Sequence, residues 1–289
     1  MRAMLLAAPK TPLREVEVPR PEPGNHQLLL KVRTCGVCCT DLHIVDGELE
    51  QPKFPLILGH QIVGEVAGVG DAVGAFAPGD RVGVPWLGWT CGRCRYCLTG
   101  RENLCDAAKF TGYDVDGGYA EYAVADHRFC FSLPESLTDL HAAPLLRGLG
   151  TEPGSTLHVN WGLYGPEART RLRHTRRTRR SSLLRRGRAD PPRSLPSARG
   201  GTVVCGGIHV SEIPAFPYRL LWGERAVRSV ANLTRQDADE FLALAPTVPL
   251  DVRGRNFPNF PLSQANEALG SLRRGELEGS AVLVVAEDG

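Results

Sequence analysis

No stretch of this 289-residue chain is apolar for long enough to span a bilayer. The longest such runs, Gly201 to Ile208 and Ala281 to Ala286, fall far short of the roughly 20 residues a membrane helix needs. A signal-peptide core is missing too, because Pro9, Lys10 and Pro12 interrupt the brief apolar patch that follows Met1. A cytoplasmic protein with no membrane partner is the expectation. No internal repeat is visible, which excludes repeat architectures. Hydrophobic residues at 42% and charged residues at 23% exclude wholesale disorder and a fibrous fold. Nor is there a disulfide framework: the nine cysteines are an odd number, and four of them crowd into Cys91, Cys94, Cys97 and Cys105, which is metal spacing.

Net charge is nearly absent at +2, but the balance is uneven. Gly165 to Arg199 holds twelve Arg against Glu167 and Asp190, a local +10 that leaves about −8 on the rest. The length favours two domains.

Aliphatic clusters bounded by Gly, Pro and Asp predict strands at Leu28 to Val32, Ile62 to Val69 and from Arg81 to Val84. Gly118 to Ala125 and Phe129 to Phe131 also read as strands, and Asp139 to Leu146 as a helix capped by Asp139. From Arg147 to Arg199 neither period holds, and the tract does not read as a core element. Protein texture returns at Gly200, with Gly201 to Val204 as a buried strand, Phe241 to Leu244 within a helix, Leu262 to Leu272 as an amphipathic helix and Ala281 to Val285 as a last strand.

Cys91-x2-Cys94-x2-Cys97-x7-Cys105 offers four thiolates within fifteen residues, enough for a closed tetrahedral zinc with no position left for water or substrate. An iron–sulfur cluster would accept the same four ligands, although a tight lobe in a β-rich chain suits zinc better. Arg93, Arg95 and Arg101 are close enough in sequence to offset the thiolate charge. A second constellation joins Cys38-Cys39-Thr40-Asp41-Leu42-His43 to Gly59-His60-Gln61. A thiolate and an imidazole from separate loops suit an open catalytic zinc. A buried thiol and a hydrogen-bonded core histidine fit those residues equally well.

The run Cys35-Gly36-Val37-Cys38-x-Thr40-Asp41-Leu42-His43, then Gly59-His60, the four-cysteine lobe and Asp116-Gly117-Gly118-Tyr119-Ala120-Glu121-Tyr122 follow the order seen in zinc-dependent alcohol dehydrogenases of the medium-chain dehydrogenase/reductase family. The resemblance runs from Met1 to Leu146 and resumes from Gly200 to Val285. It implies an α/β protein: a β-rich GroES-like catalytic domain over residues 1–147, a truncated Rossmann-type domain over 148–234 whose Arg-rich part (165–199) is expected to be disordered, and a return to the catalytic domain over 235–289. It implies an enzyme that oxidises an alcohol to an aldehyde or ketone with hydride transfer to NAD, its small-molecule partner being an alcohol or aldehyde, and it is compatible with a homo-oligomer. Cys38 and His60 become ligands of the catalytic zinc, Thr40 the hydroxyl that passes the alcohol proton on, and His43 the relay to solvent, while Cys91, Cys94, Cys97 and Cys105 hold the structural zinc. Asp41 would orient a ligand imidazole, and Trp86 is either a pocket wall or a core tryptophan.

The chain departs from the family in three places. Ala142-Ala143-Pro144-Leu145-Leu146 is followed by Arg147 where relatives supply a third zinc-binding cysteine, and Gln61 stands where they usually carry Glu. No G-x-G-x-x-G turn for a dinucleotide is found; Gly68-x-Gly70-x-x-x-Gly74 is one residue too long and lies among strands. A segment translated out of frame, with coding sequence also lost, accounts for Arg147, the arginine tract and the clean return at Gly200. A nucleic-acid or membrane-surface arm would also be arginine-rich, but the tract carries no interleaved aromatic and nucleic acid is not expected as a partner. The alternative to an active enzyme is an inactive family remnant that binds only the structural zinc.

Overall fold

The computed structural model describes residues 1–49, 53–146, 199–200, 202–205, 215–246, 257–277 and 280–286. Along the first half run β1 (Arg2–Leu6), β2 (Arg14–Glu17), β3 (Gln27–Val37), α1 (Cys39–Val45), β4 (Leu56–Ile57), β5 (Ile62–Val69), β6 (Arg81–Val84) and β7 (Leu87–Trp89). They are followed by the single turn α2 (Arg95–Leu98), β8 (Lys109–Phe110), β9 (Tyr122–Asp126), β10 (Phe131–Ser132) and α3 (Asp139–Leu145). Later come β11 (Thr202–Cys205), β12 (Ala226–Ser229), α4 (Arg235–Leu244), β13 (Asn259–Pro261), α5 (Ala265–Arg274) and β14 (Ala281–Val284). Arg147 and the tract up to residue 198, where the arginine-rich disorder was expected, lie outside the described residues. No helix among the described residues is long and apolar enough to cross a membrane.

β3 is the rib of the molecule. Its aliphatic run Leu28-Leu29-Leu30 is buried on both faces, the mark of a strand with neighbours on each side. β5 pairs antiparallel along one edge, while β9 and then β14 share the other, β9 facing Gln27 to Lys31 and β14 facing Thr34 to Val37. The sheet order is β10-β6-β5-β3-β14-β13. The C-terminal strand is therefore seated beside the residues that lead into Cys38.

A second apolar cluster joins α3 to α4: Leu137, Ala142, Leu145 and Leu146 pack with Leu233, Ala238, Phe241 and Leu242, and Val282 of β14 lies among them. α4 is capped by Thr234, whose hydroxyl accepts from the Asp237 amide while the Asp237 carboxylate accepts from the Thr234 amide at 2.8 Å, closing both ends of the first turn. β11 and β12 pair in parallel, Thr202 opposite Ala226 through Cys205 opposite Ser229. Parallel pairing needs a crossover connection rather than a hairpin; β11 and β12 form a two-stranded sheet apart from the one built on β3, in which β13 and β14 are likewise parallel.

Several local expectations shift. Asp139 is the first helical residue of α3 and Thr138 its cap. The Asp139 carboxylate instead accepts from the guanidinium groups of Arg33 (2.6 Å) and Arg81 (2.7 Å), clamping α3 to β3 and β6. The strand expected at Phe129 to Phe131 is split, because the Asp126 side chain takes the Arg128 amide and turns residues 127–129 into a 3-10 helix before β10. Leu262 to Leu272 likewise opens as a 3-10 turn and becomes helical only at Ala265. Gly118 to Glu121 lies outside β9, although its backbone is not idle, as described below.

Phe241 of α4 is buried in the cluster shared with α3. Phe241→Ala is expected to destabilise the chain by about 3–5 kcal/mol, read as a lower urea midpoint, whereas Arg273→Gln, on an exposed ion pair with Asp46, should stay within about 0.5 kcal/mol of the parent.

Candidate functional site

The four cysteines converge. One ligand atom from each of Cys91, Cys94, Cys97 and Cys105 lies within 4.8 Å of all the others, with Cys94 Sγ 3.5 Å and Cys91 Sγ 3.9 Å from Cys97 Sγ. A tetrahedral zinc at about 2.3 Å from each sulfur needs edges of about 3.8 Å, so the cluster is already close to the required size. Gly92 at φ +69° and Gly100 at φ +70° make the reversals that fold so short a loop on itself. Backbone amides of Arg93 and Cys94 pull the Cys91 thiol down to about 6, while burial and the Cys94 neighbour push Cys97 up to about 11. One thiolate is thus stabilised among thiol donors, and a divalent cation would be needed to ionise all four. Arg95, read from sequence as a charge offset, stacks on Tyr96 with its cation 4.6 Å from the ring and donates to the phenol oxygen.

The second group is assembled by the β3/β5 register. Cys35 faces Ile62 in that ladder, so one further step along each strand sets Gly36 against Gln61, where the Gly36 amide donates to the Gln61 carbonyl at 3.0 Å. Continued, the register brings Cys38 opposite Gly59, next to His60. Gly59 sits at φ +97°, and a Cβ there would meet the Tyr119 ring at 2.4 Å and Cys35 Sγ at 2.8 Å. The amides of Gly117, Gly118 and Tyr119 donate to the carbonyls of Ile57, Gly59 and Leu58, so the Asp116-Gly117-Gly118-Tyr119 run is a backbone splint for the His60 turn. A Cβ on Gly117 would lie 2.1 Å from the Gly59 carbonyl oxygen. Gly118 and Tyr119 thus serve that splint, while Ala120 bridges Ala3 and the Glu121 amide donates to the Arg2 carbonyl, in place of the expected strand.

Around Cys38 and His60 the side chains are polar, buried and poorly satisfied. Asp41, with no exposed surface, accepts from the Cys38 amide at 2.8 Å through Oδ2, and its Oδ1 is 3.3 Å from His60 Nδ1 without aligning as a hydrogen bond. Burial works against a protonated His60, but Asp41 and the Cys38 thiol outweigh it and raise His60 to about 10. Both amide atoms of Gln61 and Trp86 Nε1 also lack hydrogen-bond partners among the described residues, and the buried Tyr119 hydroxyl has Asp41 as its polar neighbour. Orphaned groups of this density are costly in a core and mark a place built for something that binds there. Trp86 presents its ring to His60 edge-on, 4.8 Å between centroids, and stacks on Phe110, so it fixes the imidazole plane. The Thr40 hydroxyl is 3.8 Å from Cys38 Sγ. His43 is buried, and its Nδ1 meets the half-exposed carboxylate of Glu48, a partner that the sequence reading missed because no motif marks it.

As a metal site this second group offers a thiol and an imidazole, the donor types zinc favours. Among the described residues no third Cys, His, Asp or Glu completes a cluster around them. Position 147, where the family resemblance leads one to expect a cysteine, is Arg and lies outside the described residues.

Residues 24–135 match the family described as alcohol dehydrogenase GroES-like domain. The chain is 37% identical over 329 positions to the probable alcohol dehydrogenase AdhA of Mycobacterium tuberculosis (strain CDC 1551 / Oshkosh), covering 95% of this chain and 93% of that protein. Since 95% of 289 residues is about 275, about 54 of those positions have no counterpart here. Identity rises to 48% over 136 residues with an alcohol dehydrogenase of Rhizobium meliloti (strain 1021), a match confined to 47% of this chain and 40% of that one. In three dimensions the chain is similar to a cinnamyl alcohol dehydrogenase from Sorghum bicolor, with a TM-score of 0.81, 22% identity, and coverage of 100% of this chain and 98% of that one, a likeness of fold.

Zinc affinity of the cysteine lobe should fall as the pH drops from 8 to 5, because protons then compete for all four sulfurs. At pH 7.5 binding should displace protons chiefly from Cys97 rather than Cys91, given their values of about 11 and about 6. Calorimetry in buffers of different ionisation enthalpy counts those protons, and Cys97→Ser should lower the zinc content by one ion per chain.

Proposed function

The chain belongs to the zinc-type alcohol dehydrogenase family of medium-chain dehydrogenases, and we propose that it oxidises an alcohol, or reduces the corresponding aldehyde or ketone, at a centre built on Cys38 and His60. The observation that carries this reading is the buried set of unpartnered polar atoms around those two residues, which has no use in a passive core. The family works with zinc and NAD: zinc bound at Cys38 and His60 would supply Lewis acidity toward the alcohol oxygen, and NAD would accept the hydride.

The chain's own side chains divide the remaining work. Asp41 faces His60 Nδ1 and so leaves the other ring nitrogen directed to the metal position, while Trp86 holds the ring plane. Thr40, the second residue of α1 and beside Cys38, takes the proton of the bound alcohol. His43 receives it on the same helix, and because His43 is itself buried, Glu48 carries it to water. Cys91, Cys94, Cys97 and Cys105 hold a second zinc with a structural role. We divide the chain into a catalytic domain over 1–147, a cofactor domain over 148–234 and a return to the catalytic domain over 235–289. The parallel strands β11 and β12 and the pairing of β14 with β3 support that division. The residues that would hold NAD are sought in the second of these, and no step is derived from them. We place the protein in the cytoplasm.

Metal analysis of the purified chain is expected to give two zinc ions per chain, with saturable NAD binding and alcohol-dependent formation of NADH. One zinc, no NAD binding and no turnover would overturn the reading and leave a protein that keeps only the structural metal. In an active preparation, Thr40→Val should lower kcat/KM by about 10²–10⁴-fold with the zinc content unchanged, and Glu48→Gln should slow turnover by a smaller factor that added small buffer acids and bases restore.

A further inference from the structure

A cation 133 residues further along the chain is bound to a buried carboxylate within the cysteine lobe. Glu102 stands between Cys97 and Cys105, is buried, and offers its backbone carbonyl to the Cys105 amide at 3.0 Å. Its carboxylate accepts three bonds from Arg235: the backbone amide at 2.8 Å, Nε at 2.9 Å and Nη2 at 2.6 Å. Arg235 is the first residue of α4, so its amide is one that the helix cannot satisfy internally, and the Thr234 cap aims it at the lobe. The guanidinium also lies over the buried Phe129 ring, 5.6 Å from its centre, and the Asn103 side-chain amide donates to the Ala231 carbonyl at 2.8 Å.

We propose that Arg235 is a positioning residue for the four-cysteine metal centre: its fork on the buried Glu102 carboxylate locks α4 onto the lobe, so that metal retention and docking of the C-terminal return stabilise each other. The proposal rests on reading the four cysteines as a metal site, and reciprocity is a thermodynamic requirement once the two are linked. Whatever the metal contributes to holding residues 97–105 in place, it contributes to the seat of α4. Conversely, α4 arrives from residues 133 positions away and holds Glu102, and with it the turn that carries Cys105, in place.

The test uses the full chain purified with zinc, its metal content measured first. Arg235→Met and Glu102→Gln are each expected to release zinc to a chromophoric chelator roughly tenfold faster, the scale on which outer partners of metal ligands act. Glu102→Gln keeps a neutral side chain of the same shape and so retains the fold while losing the charge. The double variant should release no faster than either single one, because both break the same lock. Hydrogen exchange at the amides of residues 235–244 should accelerate when zinc is stripped from the parent chain, and Arg273→Gln should alter neither readout. Unchanged release in both single variants, or exchange in α4 indifferent to zinc, overturns the proposal. A parent chain that holds no zinc at its four cysteines overturns the metal reading itself, and does so before any variant is compared.

Discussion

The structure depends on one antiparallel register. With Cys35 opposite Ile62, the ends of β3 and β5 deliver Cys38 and His60 to the same place from positions more than twenty residues apart in sequence. A slip of one residue would turn the buried face of β3 outward and separate the two. The register is guarded on several sides. β14 pairs with Thr34 to Val37 along the opposite edge, residues 117–119 splint the Gly59 turn, and Asp139 ties Arg33 of β3 to Arg81 of β6. The site's precision is thus a property of the sheet, and α1 only presents Thr40 and His43 from a position the sheet has already set.

What could be read from sequence follows the distance over which each feature is encoded. The cysteine lobe was legible because four ligands within fifteen residues leave the chain few ways to bring them together, and the strands at Ile62 and Arg81 were legible because local alternation and turn residues bound them. Cys38 and His60 were legible as candidates only, since their meeting is decided by the pairing of two strands. The Asp139 carboxylate misled for the same reason: an acidic residue at a helix start suits a cap, but two arginines on neighbouring strands claim it instead. Glu102 and Arg235 carry no local signal at all. An arginine at a helix start and a glutamate in a loop are ordinary surface residues until tertiary packing places one against the other.

The same reasoning separates the two halves of the chain. Antiparallel neighbours joined by short turns keep most contacts of the first 146 residues local to that stretch, while parallel strands such as β11 and β12 need long crossovers and a full layered sheet to cover them. An architecture of the second kind tolerates missing residues poorly, and about 54 positions of the Mycobacterium relative have no counterpart in this chain.

The C-terminal return does not share that dependence. α4 packs Phe241 and Leu242 against Leu137 and Leu145 of the first half, α5 places Ala265 and Leu269 in the main core, and β14 hydrogen-bonds β3 directly. These contacts are made with residues that precede the arginine tract. In the proposed reading, zinc binding in the lobe draws on these contacts and on Arg235. Hydride transfer, in the proposed division of the chain, needs a cofactor held outside these contacts, so metal retention and catalysis are separable by measurement.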